Sequence, residues 1–504
     1  MTLTSERAIL LTGATGYVGG RLLERLEASG REVRCLARRP DALTARVGPR
    51  TRVIQGDVLD RASLAGALQG VHTACYLVHA MAGGGDFSQL DRRAAVNFAD
   101  MAAAAGVAQI VYLGGLGHER DLSAHLASRH EVGRLLRSRG VPTAELRASI
   151  VIGSGSASFE TVRALIEKLP IVLAPRSVDT LSQPIAIADL LDALVGLLDL
   201  ERPVDAVYEI GGADQVTYAE LLREYARQRG LHRRIVSLPM ISPRACRAFL
   251  GLLIPSHGRV AGEMVDSLRN ETIVTKTPAH APFRTRLLGL STSVEDALLA
   301  EDREFAKVHW SHTLPPQPSS RWGGLRFGRR RVVSWVLRVS LEPDDAFAPI
   351  QRIGGSNGWY GMNWFWRLRG SVDRVRGGVG FRRGRRDPFE LGAGEALDGW
   401  RVEQLESGRL LRLVAEMKLP GRLWLQFEVE PTAGQVLVRQ TTVFDPSGLA
   451  GLAYWTLLYP IHREVFKRML QGIHREMQSC PGSRLPGAGE GAVGLEARAQ
   501  TGAR

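Results

Sequence analysis

Cysteine, lysine and long apolar runs are all scarce in this sequence. The scarce cysteines argue against metal and redox sites, and the short apolar runs argue against a membrane span. The four cysteines, Cys35, Cys75, Cys246 and Cys480, are scattered, and no two have the spacing of metal ligands or of a redox pair. We therefore expect the reduced thiols of a cytosolic protein and no metal site.

Uncharged runs are too short for a membrane span. The longest cover residues 101–117 and 448–462, whereas a helix that crosses a bilayer needs about 20 apolar residues. The N-terminus has no basic segment followed by an apolar one, so we expect no signal peptide and a cytoplasmic location.

Lysine is largely replaced by arginine, since only five of the 65 basic residues are lysines. The formal net charge is +13, and residues 320–390 contribute most of it, with 15 arginines against six acidic residues. Codon composition favours such a bias. Binding to nucleic acid or to an anionic membrane is the alternative, and peripheral membrane contact stays open.

Short apolar runs alternate with amphipathic stretches over the first 310 residues. The apolar runs predict strands over 8–12, 33–37, 52–55, 74–78, 109–113, 143–152 and 206–210. Such alternation predicts an α/β Rossmann-like fold, a doubly wound parallel sheet with helices on both faces, over residues 1–312.

The character of the sequence changes at residues 313–331, which are rich in Pro, Gly, Ser and Arg and predict a linker. Consecutive strand patterns and a long final helix (449–478) then predict an α+β antiparallel domain over 332–478. A curved sheet around one long helix is the helix-grip arrangement. We expect the Gly- and Ala-rich residues 479–504 to be disordered.

A glycine-rich turn follows the first strand in ILLTGATGYVGG (9–20). Gly13 permits a tight turn, Gly16 lets the backbone approach a pyrophosphate, and Gly19 lets the helix pack close to the strand. Free N–H groups at the helix N-terminus attract phosphate. We expect Thr15, Tyr17 and Val18 to complete this cofactor-binding segment.

Other cofactor contacts are expected where later strands end. Arg38 and Arg39 follow the second strand, where NAD-specific sites usually place a carboxylate, and they favour NADP(H) through its 2′-phosphate. The general arginine excess is the alternative explanation. The remaining candidates follow the third and fourth strands: Asp57 and Val58 for the adenine, Val78 and His79 for the middle of the cofactor.

The segments TGATGYVGG (12–20), GDVLD (56–60) and DLLDALVGLL (189–198) resemble the short-chain dehydrogenase/reductase superfamily, in its atypical, NmrA-like branch. Longer runs, such as HLASRHEVGRLLR and IGGSNGWYGMNWFWRLRG, resemble bacterial NAD(P)H-binding proteins with a C-terminal domain of unknown function. That second domain is similar to START-like helix-grip domains, which bind ligands.

The resemblance implies a catalytic Ser, Tyr and Lys, and this sequence has none of them in place. By position His125 stands for the Tyr, Arg129 for the Lys, and Gly114 or Gly115 for the Ser. His125 is a candidate acid or base and Arg129 a candidate ribose ligand, although a neighbouring guanidinium weakens an imidazolium acid. The alternative is a polar rim that only binds cofactor. Tyr112, His79 and His118 are reserve candidates.

The second domain offers two further features. The run 377–388 holds four arginines, which fit an anion-binding loop, a basic patch for nucleic acid or lipid, or a surface that docks on carboxylates. Aromatic residues at 359–366 and 453–459 fit either a filled core or the walls of a cavity for a small hydrophobic molecule, with Pro460 kinking the long helix at its mouth. No nucleic-acid-binding signature occurs.

These observations favour an NADP(H)-dependent oxidoreductase that acts on a hydrophobic carbonyl or enone held between the domains. A non-catalytic protein that binds a ligand and responds to NADP(H) is the alternative, and the missing Ser-Tyr-Lys set favours it.

Overall fold

The computed structural model describes most of the chain, namely residues 8–44, 46–79, 87–118, 122–238, 245–246, 248–250, 262, 265–276, 287–310, 330–381, 385–387, 390–432, 435–479 and 496–500. The chain divides into two compact units, Met1–Phe327 and Gly328–Arg504. The linker expected at 313–331 lies almost wholly outside the described residues.

Strands and helices alternate in the first unit. Its strands are β1 (Ile9–Thr12), β2 (Val33–Ala37), β3 (Thr51–Gln55), β4 (Thr73–Tyr76), β5 (Gln109–Gly115), β6 (Thr143–Ala148), β7 (Val151–Ile152), β8 (Ile171–Pro175), β9 (Leu181–Ser182), β10 (Ile185–Ala186), β11 (Ala206–Ile210), β12 (Val216–Thr217) and β13 (Arg234–Leu238). Its helices are α1 (Tyr17–Ala28), α2 (Asp41–Thr44), α3 (Arg61–Leu68), α4 (Phe87–Ala104), α5 (Ala124–Arg137), α6 (Ala157–Lys168), α7 (Ile187–Leu198), α8 (Tyr218–Gln228) and α9 (Leu290–Trp310).

Seven of these strands form one parallel sheet in the order β3-β2-β1-β4-β5-β6-β11. Leucines of α1 and α7 cover one face, and apolar side chains of α3, α4 and α5 cover the other. The doubly wound prediction is confirmed. The strand order reverses between β1 and β4, and ligands of such sheets bind at the carboxyl edge beside this point.

One strand boundary differs from the prediction. A single strand was expected over 143–152, but β6 ends at Ala148 and β7 pairs with β10 outside the main sheet. The chain leaves the sheet where the Ser149 hydroxyl donates to Thr272 Oγ1 and the Ile150 carbonyl accepts from Ile185 N–H. These are long-range contacts, which a local alternation pattern does not reveal.

The second unit contains an antiparallel sheet and a long helix, as the helix-grip prediction requires. Its strands are β14 (Arg331–Val339), β15 (Ala396–Leu397), β16 (Trp400–Glu406), β17 (Leu410–Ala415), β18 (Gly421–Thr432), β19 (Gln435–Pro446) and β20 (Glu496–Gln500), and its helices are α10 (Pro343–Gln351), α11 (Asn363–Val375) and α12 (Gly448–Ser479). The strand order is β15-β16-β17-β18-β19-β14-β20.

Helix α12 packs on this sheet and runs through Pro460 without interruption. The Trp455 ring stacks on Phe444 of β19, with centroids 4.9 Å apart, and Gln440 donates to the Phe466 carbonyl. Strand β20 corrects one expectation, because five residues of the tail predicted to be disordered pair with β14. Along the described part of the chain, no helix is long and apolar enough to cross a membrane.

Candidate functional site

The glycine-rich turn has the conformation that its sequence predicts. Gly13 has φ +75°, and a Cβ there would come within 2.5 Å of the Leu77 carbonyl oxygen. A Cβ on Gly19 would overlap the Gly13 carbonyl, so the helix approaches the turn as closely as glycine allows. The Gly16 N–H donates to the Gly13 carbonyl at 2.8 Å and closes the turn.

The N-terminus of α1 is open for an anion. Gly16 is the N-cap, and no side chain caps the helix. Thr15 and Gly16 are exposed, Tyr17 and Val18 are partly exposed, and Gly19 is buried. A cradle of small residues at an uncapped helix N-terminus fits a pyrophosphate. The Tyr17 ring itself lies against Gly153, where a Cβ would overlap its hydroxyl.

Arg38 and Arg39 lie at the end of β2, and both are exposed. Within the described part of the chain, neither forms an ion pair, so their guanidinium groups are available to an anionic ligand. Asp57 follows β3, and its carboxylate accepts from the Leu59 N–H at 2.9 Å. Val58 is 8% exposed and belongs to the core under the sheet, so Asp57 is the more accessible of the two adenine candidates.

Leu77, Val78 and His79 follow β4 beside the glycine turn. The Leu77 N–H donates to the Thr12 hydroxyl, which in turn donates to the Cys75 carbonyl at 2.9 Å. Thr12 therefore joins β1 to β4 at the point where the strand order reverses. Val78 packs on the core, and the His79 side chain is 16% exposed.

His79 connects Asp91 to His125 in a chain of hydrogen bonds. Its Nδ1 lies 2.6 Å from Asp91 Oδ2, and its Nε2 lies 3.0 Å from His125 Nδ1. Because a carboxylate only accepts, His79 Nδ1 donates to Asp91. The proton between the two imidazoles belongs to either ring, and the Nε2 atom of His125 is the far end of the chain. Ser128 also donates to Asp91 Oδ2.

Burial keeps His125 neutral. Burial lowers its pKa to about 2, with the Arg129 guanidinium and His79 acting in the same direction. At neutral pH His125 therefore holds a single ring proton, and its Nδ1 lies within hydrogen-bond distance of His79 Nε2.

Arg129 lies one turn after His125, against the end of β5. Its Nη2 donates to the Leu113 carbonyl at 2.7 Å, and the Tyr112 hydroxyl donates to the Arg129 carbonyl at 3.0 Å. Its Nε is buried, and no described residue accepts a hydrogen bond from it. A buried guanidinium donor without an acceptor fits a hydroxyl-bearing ligand such as a ribose.

The positions expected for the catalytic Ser leave little room for a side chain. A Cβ on Gly115 would come within 2.8 Å of Leu126 Cδ2 and 3.3 Å of Arg129 Cδ. On Gly114 it would come within 3.1 Å of Glu145 Oε1. Arg129 and its neighbours thus occupy the space where a Ser hydroxyl would stand.

The three reserve candidates, Tyr112, His118 and His79, differ in burial and in hydrogen bonding. Tyr112 is buried, burial raises the pKa of its phenol, and its hydroxyl is bonded to the Arg129 carbonyl. His118 is exposed. Of the three, His79 is the one that lies within hydrogen-bond distance of His125.

An apolar cavity of about 100 Å³, partly open to solvent, lies among α6, β8 and α8 of the same unit. Apolar side chains dominate its lining, which includes Val162, Leu165, Tyr218, Leu222, Phe249 and Leu268. The wall segment around Leu268 also touches the start of α5, because Asn270 Oδ1 accepts from the Ser123 N–H and Ser267 bonds the Ser123 hydroxyl. Ser123 lies two residues before His125.

The aromatic residues and the arginine-rich run of the second unit lie in both buried and exposed positions. The rings of Trp359 and Trp366 are buried with Phe381 and Trp400, whereas Trp364 is 62% exposed. In the arginine-rich run, Arg385 donates to the carbonyls of Gln351 and Ile353 and so holds two loops together. Residues 382–384 lie outside the described residues.

Sequence reasoning missed Asp91, Ser128 and Thr12. Asp91 is the only one with a usable signal, since it shares a helical face with Ala94, Ala95 and Phe98. A charged residue on the apolar face of an amphipathic helix requires a buried partner. Ser128 and Thr12 look ordinary until their partners are known.

Two segments of the chain match family models. Residues 13–151 match a model described as NAD(P)H-binding, and residues 333–469 match one described as a protein of unknown function (DUF2867). The first match runs from Gly13 past Arg129 and includes the Asp91–His79–His125 chain.

Individual proteins are similar over parts of the chain. Sterol demethylase protein B of Methylococcus capsulatus is 40% identical over 72 residues, which are 14% of this chain and 22% of that protein. The match thus spans about a fifth of that relative's length.

Two solved structures are similar in fold. One is the Citrobacter sp. triphenylmethane reductase complexed with NADP(H), with 20% identity, 57% of this chain and 99% of that chain covered, and a TM-score of 0.48. The other is the NADPH-dependent quinone oxidoreductase of Escherichia coli complexed with NADPH, with 21% identity, 57% and 98% covered, and a TM-score of 0.45.

Proposed function

We propose that this chain, whose N-terminal domain belongs to the NAD(P)H-binding family and whose C-terminal domain belongs to the DUF2867 family, is an NADP(H)-dependent reductase of a hydrophobic carbonyl or enone. The hydrogen-bonded chain Asp91–His79–His125 carries the proposal. Cofactor binding alone does not require such a chain, whereas reduction of a carbonyl requires a proton for the substrate oxygen.

His125 is the proposed acid, and His79 resupplies it. When bound, the nicotinamide supplies the hydride for the substrate carbon. His125 Nε2 gives its proton to the substrate oxygen, while His125 Nδ1 takes a proton from His79 Nε2. His79 begins as an imidazolium and ends neutral, with its Nδ1–H still on the Asp91 carboxylate. One hydride and one proton thus convert the carbonyl to an alcohol, or the enone to an enol, which tautomerises to the saturated ketone.

This arrangement removes the objection that Arg129 weakens His125 as an acid. Because the pKa of His125 is lowered to about 2, His125 is neutral before the reaction, and the mechanism does not require its imidazolium form. The positive charge sits instead on His79, next to a carboxylate 2.6 Å away. Arg129 is left to the cofactor, with its buried Nε as a donor to the ribose.

Two observations support NADP(H) over NAD(H). The second strand ends in two exposed arginines, Arg38 and Arg39, with no carboxylate beside them in the sequence before Asp41. A 2′-phosphate between two guanidinium groups forms charge-assisted hydrogen bonds, whereas the bare ribose hydroxyls of NAD(H) gain less from them.

The apolar cavity supports a hydrophobic substrate. Its lining offers only a few hydroxyl and thiol groups among aliphatic and aromatic side chains, so an apolar molecule gains most from entering it. The wall segment that bonds Ser123 connects this cavity to the helix that carries His125.

The test is the consumption of NADPH with hydrophobic probes, such as benzylideneacetone for enones and acetophenone for ketones. With a reduced probe in hand, His125→Ala should lower kcat by a factor of about 10² to 10⁴. The affinity for NADPH should stay within about threefold of the wild type. His118→Ala removes an exposed histidine just before α5 and is the matched control, with no change expected.

The filled Ser position favours a second function, a protein that binds NADP(H) without catalysis. A Cβ on Gly115 would press on Leu126 and Arg129, so no side chain orients a substrate oxygen from β5. Tight NADPH binding without turnover of any probe would support this second function. A reduced probe whose turnover is untouched in His125→Ala would refute the proposed acid.

A further inference from the structure

Helix α11 in the second unit packs one face on its own domain and exposes an apolar stripe on the opposite face. The inward face consists of Trp366, Gly370 and Asp373. The Trp366 ring stacks on Phe381 with centroids 5.4 Å apart, and a Cβ on Gly370 would overlap Phe381. Asp373 is fully buried and accepts from the Gly380 and Lys418 N–H groups. This face fixes the helix on its domain.

The opposite face carries Trp364, Leu368, Val372 and Val375, which are 62%, 55%, 42% and 90% exposed. Their spacing is i, i+4, i+8 and i+11. At 100° per residue they form one stripe about 80° wide, turned away from Trp366 and Asp373. A surface helix normally has polar residues there, so this stripe requires a partner.

Arginines border the stripe on both sides. On the same helical projection, Arg367 and Arg374 lie on one side, and Arg369 and Arg376 lie on the other. Arg369 is partly buried and donates to the Lys418 carbonyl. Arg367, Arg374 and Arg376 are therefore the exposed cations. In the described part of the second unit no carboxylate forms an ion pair with any of the four. Asp373, the one acidic residue of α11, is buried on the inward face. The outer surface of the helix is therefore purely cationic around an apolar centre.

We propose that α11 is a membrane-binding surface, which lies on an anionic lipid bilayer with the Trp364–Val375 stripe in the headgroup region. An apolar stripe bordered by basic residues is the pattern of helices that lie in the plane of the interface, and Trp prefers that depth. The exposed Arg367, Arg374 and Arg376 contact lipid phosphates and carboxylates. A second copy of this chain fits less well, because two such helices would bring eight arginines together.

The proposal does not depend on the reductase function. Membrane binding would give the arginine cluster at 320–390 a function, whereas codon composition explains only its abundance. It would also bring the protein to a surface that holds hydrophobic molecules. Each arginine near an anionic bilayer strengthens binding about fivefold.

Co-sedimentation of the full chain with vesicles tests the proposal. We expect binding to vesicles of phosphatidylserine and phosphatidylcholine, weak binding to phosphatidylcholine alone, and a marked loss of binding at high salt. The double variant Trp364→Ser, Leu368→Ser should weaken binding tenfold or more, about the effect of removing two apolar anchors. Arg367→Glu with Arg374→Glu should weaken it by a factor of more than 25, about fivefold for each arginine removed and more for each glutamate introduced.

Matched controls separate the stripe from general surface properties. Leu299→Ser removes an exposed leucine of the first unit, and Arg52→Glu reverses an exposed arginine of β3; both should bind vesicles as the wild type does. All altered side chains are exposed, so the melting temperature should stay unchanged. A wild-type chain that remains in the supernatant, or a stripe variant that sediments as well as its control, overturns the proposal and leaves the stripe to a protein partner.

Discussion

Asp91 is a buried carboxylate on the apolar face of α4, and burying its charge costs hydration free energy that its apolar neighbours do not lose. It is 3% exposed, on the same face as Ala94, Ala95 and Phe98. A carboxylate in such a place loses its hydration, and an alanine would lose nothing. Hydrogen bonds from His79 and Ser128 stabilise it, and in the proposed mechanism its charge would stabilise the imidazolium of His79.

Asp91→Asn tests that role. An amide carries no charge to stabilise an imidazolium at His79, so we expect kcat for a reduced probe to fall by about tenfold to a hundredfold. The pH at which activity declines should shift, and NADPH affinity should not, because Asp91 does not line the glycine turn. Calorimetry and pH–rate profiles measure the two effects.

Asp100→Asn is the matched control, because Asp100 lies on the same helix and pairs with Arg139. His79→Gln should reproduce the loss of kcat if Asp91→Asn is too unstable to assay. An Asp91→Asn enzyme with an unchanged kcat and an unchanged pH profile would contradict the proton chain.

At the residue scale, the sequence predicts the glycine-rich turn better than it predicts the hydrogen-bonded chain of Asp91, His79 and His125. The roles of Gly13, Gly16 and Gly19 follow from backbone geometry that only glycine satisfies, and the turn has that geometry. The importance of His125 and Arg129 followed from a resemblance and not from their pattern. The chain that joins His125 to Asp91 spans 34 residues of sequence, and no local rule connects them.

At the element scale, periodicity located most strands of the first domain to within a few residues, with β2 at 33–37 and β11 at 206–210 as predicted. The predicted element boundaries were wrong where pairing with a distant segment of the chain determines them. The split between β6 and β7 depends on β10 and Thr272, and the strand at Glu496–Gln500 depends on β14. The exposed apolar stripe of α11 is likewise visible only once the structure shows which face of the helix is buried.

Strand β18 carries a group with a measurable pH effect. Burial raises the pKa of Glu428 to about 7, with Glu430 adding to the shift and Arg439 and Arg412 opposing it. Because this folded-state pKa lies above the usual value, the unfolded chain releases the proton first as pH rises. Glu428 therefore lowers stability from about pH 5 upward, and most above pH 7.

Glu428→Gln should raise the free energy of unfolding of the second domain by about 1–3 kcal/mol at pH 8, and by little at pH 4. Urea denaturation at both pH values measures the difference. Glu403→Gln is the control, an exposed carboxylate near the same Arg412, with little effect expected at either pH. Equal effects of Glu428→Gln at both pH values would contradict the raised pKa of Glu428, because the carboxyl would then bind protons equally in the folded and unfolded states.

At the scale of the whole molecule, composition and alternation predicted two domains of different architecture. The parallel sheet of the first and the antiparallel sheet with a long helix of the second confirm the fold classes. What each domain binds lay beyond that level of argument, because function depends on a few side chains within a common fold. The START-like ligand of the second domain stays a prediction.

Binding of the cofactor to the whole chain decides the central claim, and it needs no substrate. Calorimetric titration with NADPH and with NADH should show one site that prefers NADPH by about tenfold or more, which is about 1.4 kcal/mol. Gly16→Val should abolish the heat of binding, because a Cβ there already lies 3.1 Å from the Gly13 carbonyl and a larger side chain fills the pyrophosphate cradle. Equal affinity for both dinucleotides would contradict the role of Arg38 and Arg39, and no binding of either would contradict the reductase itself.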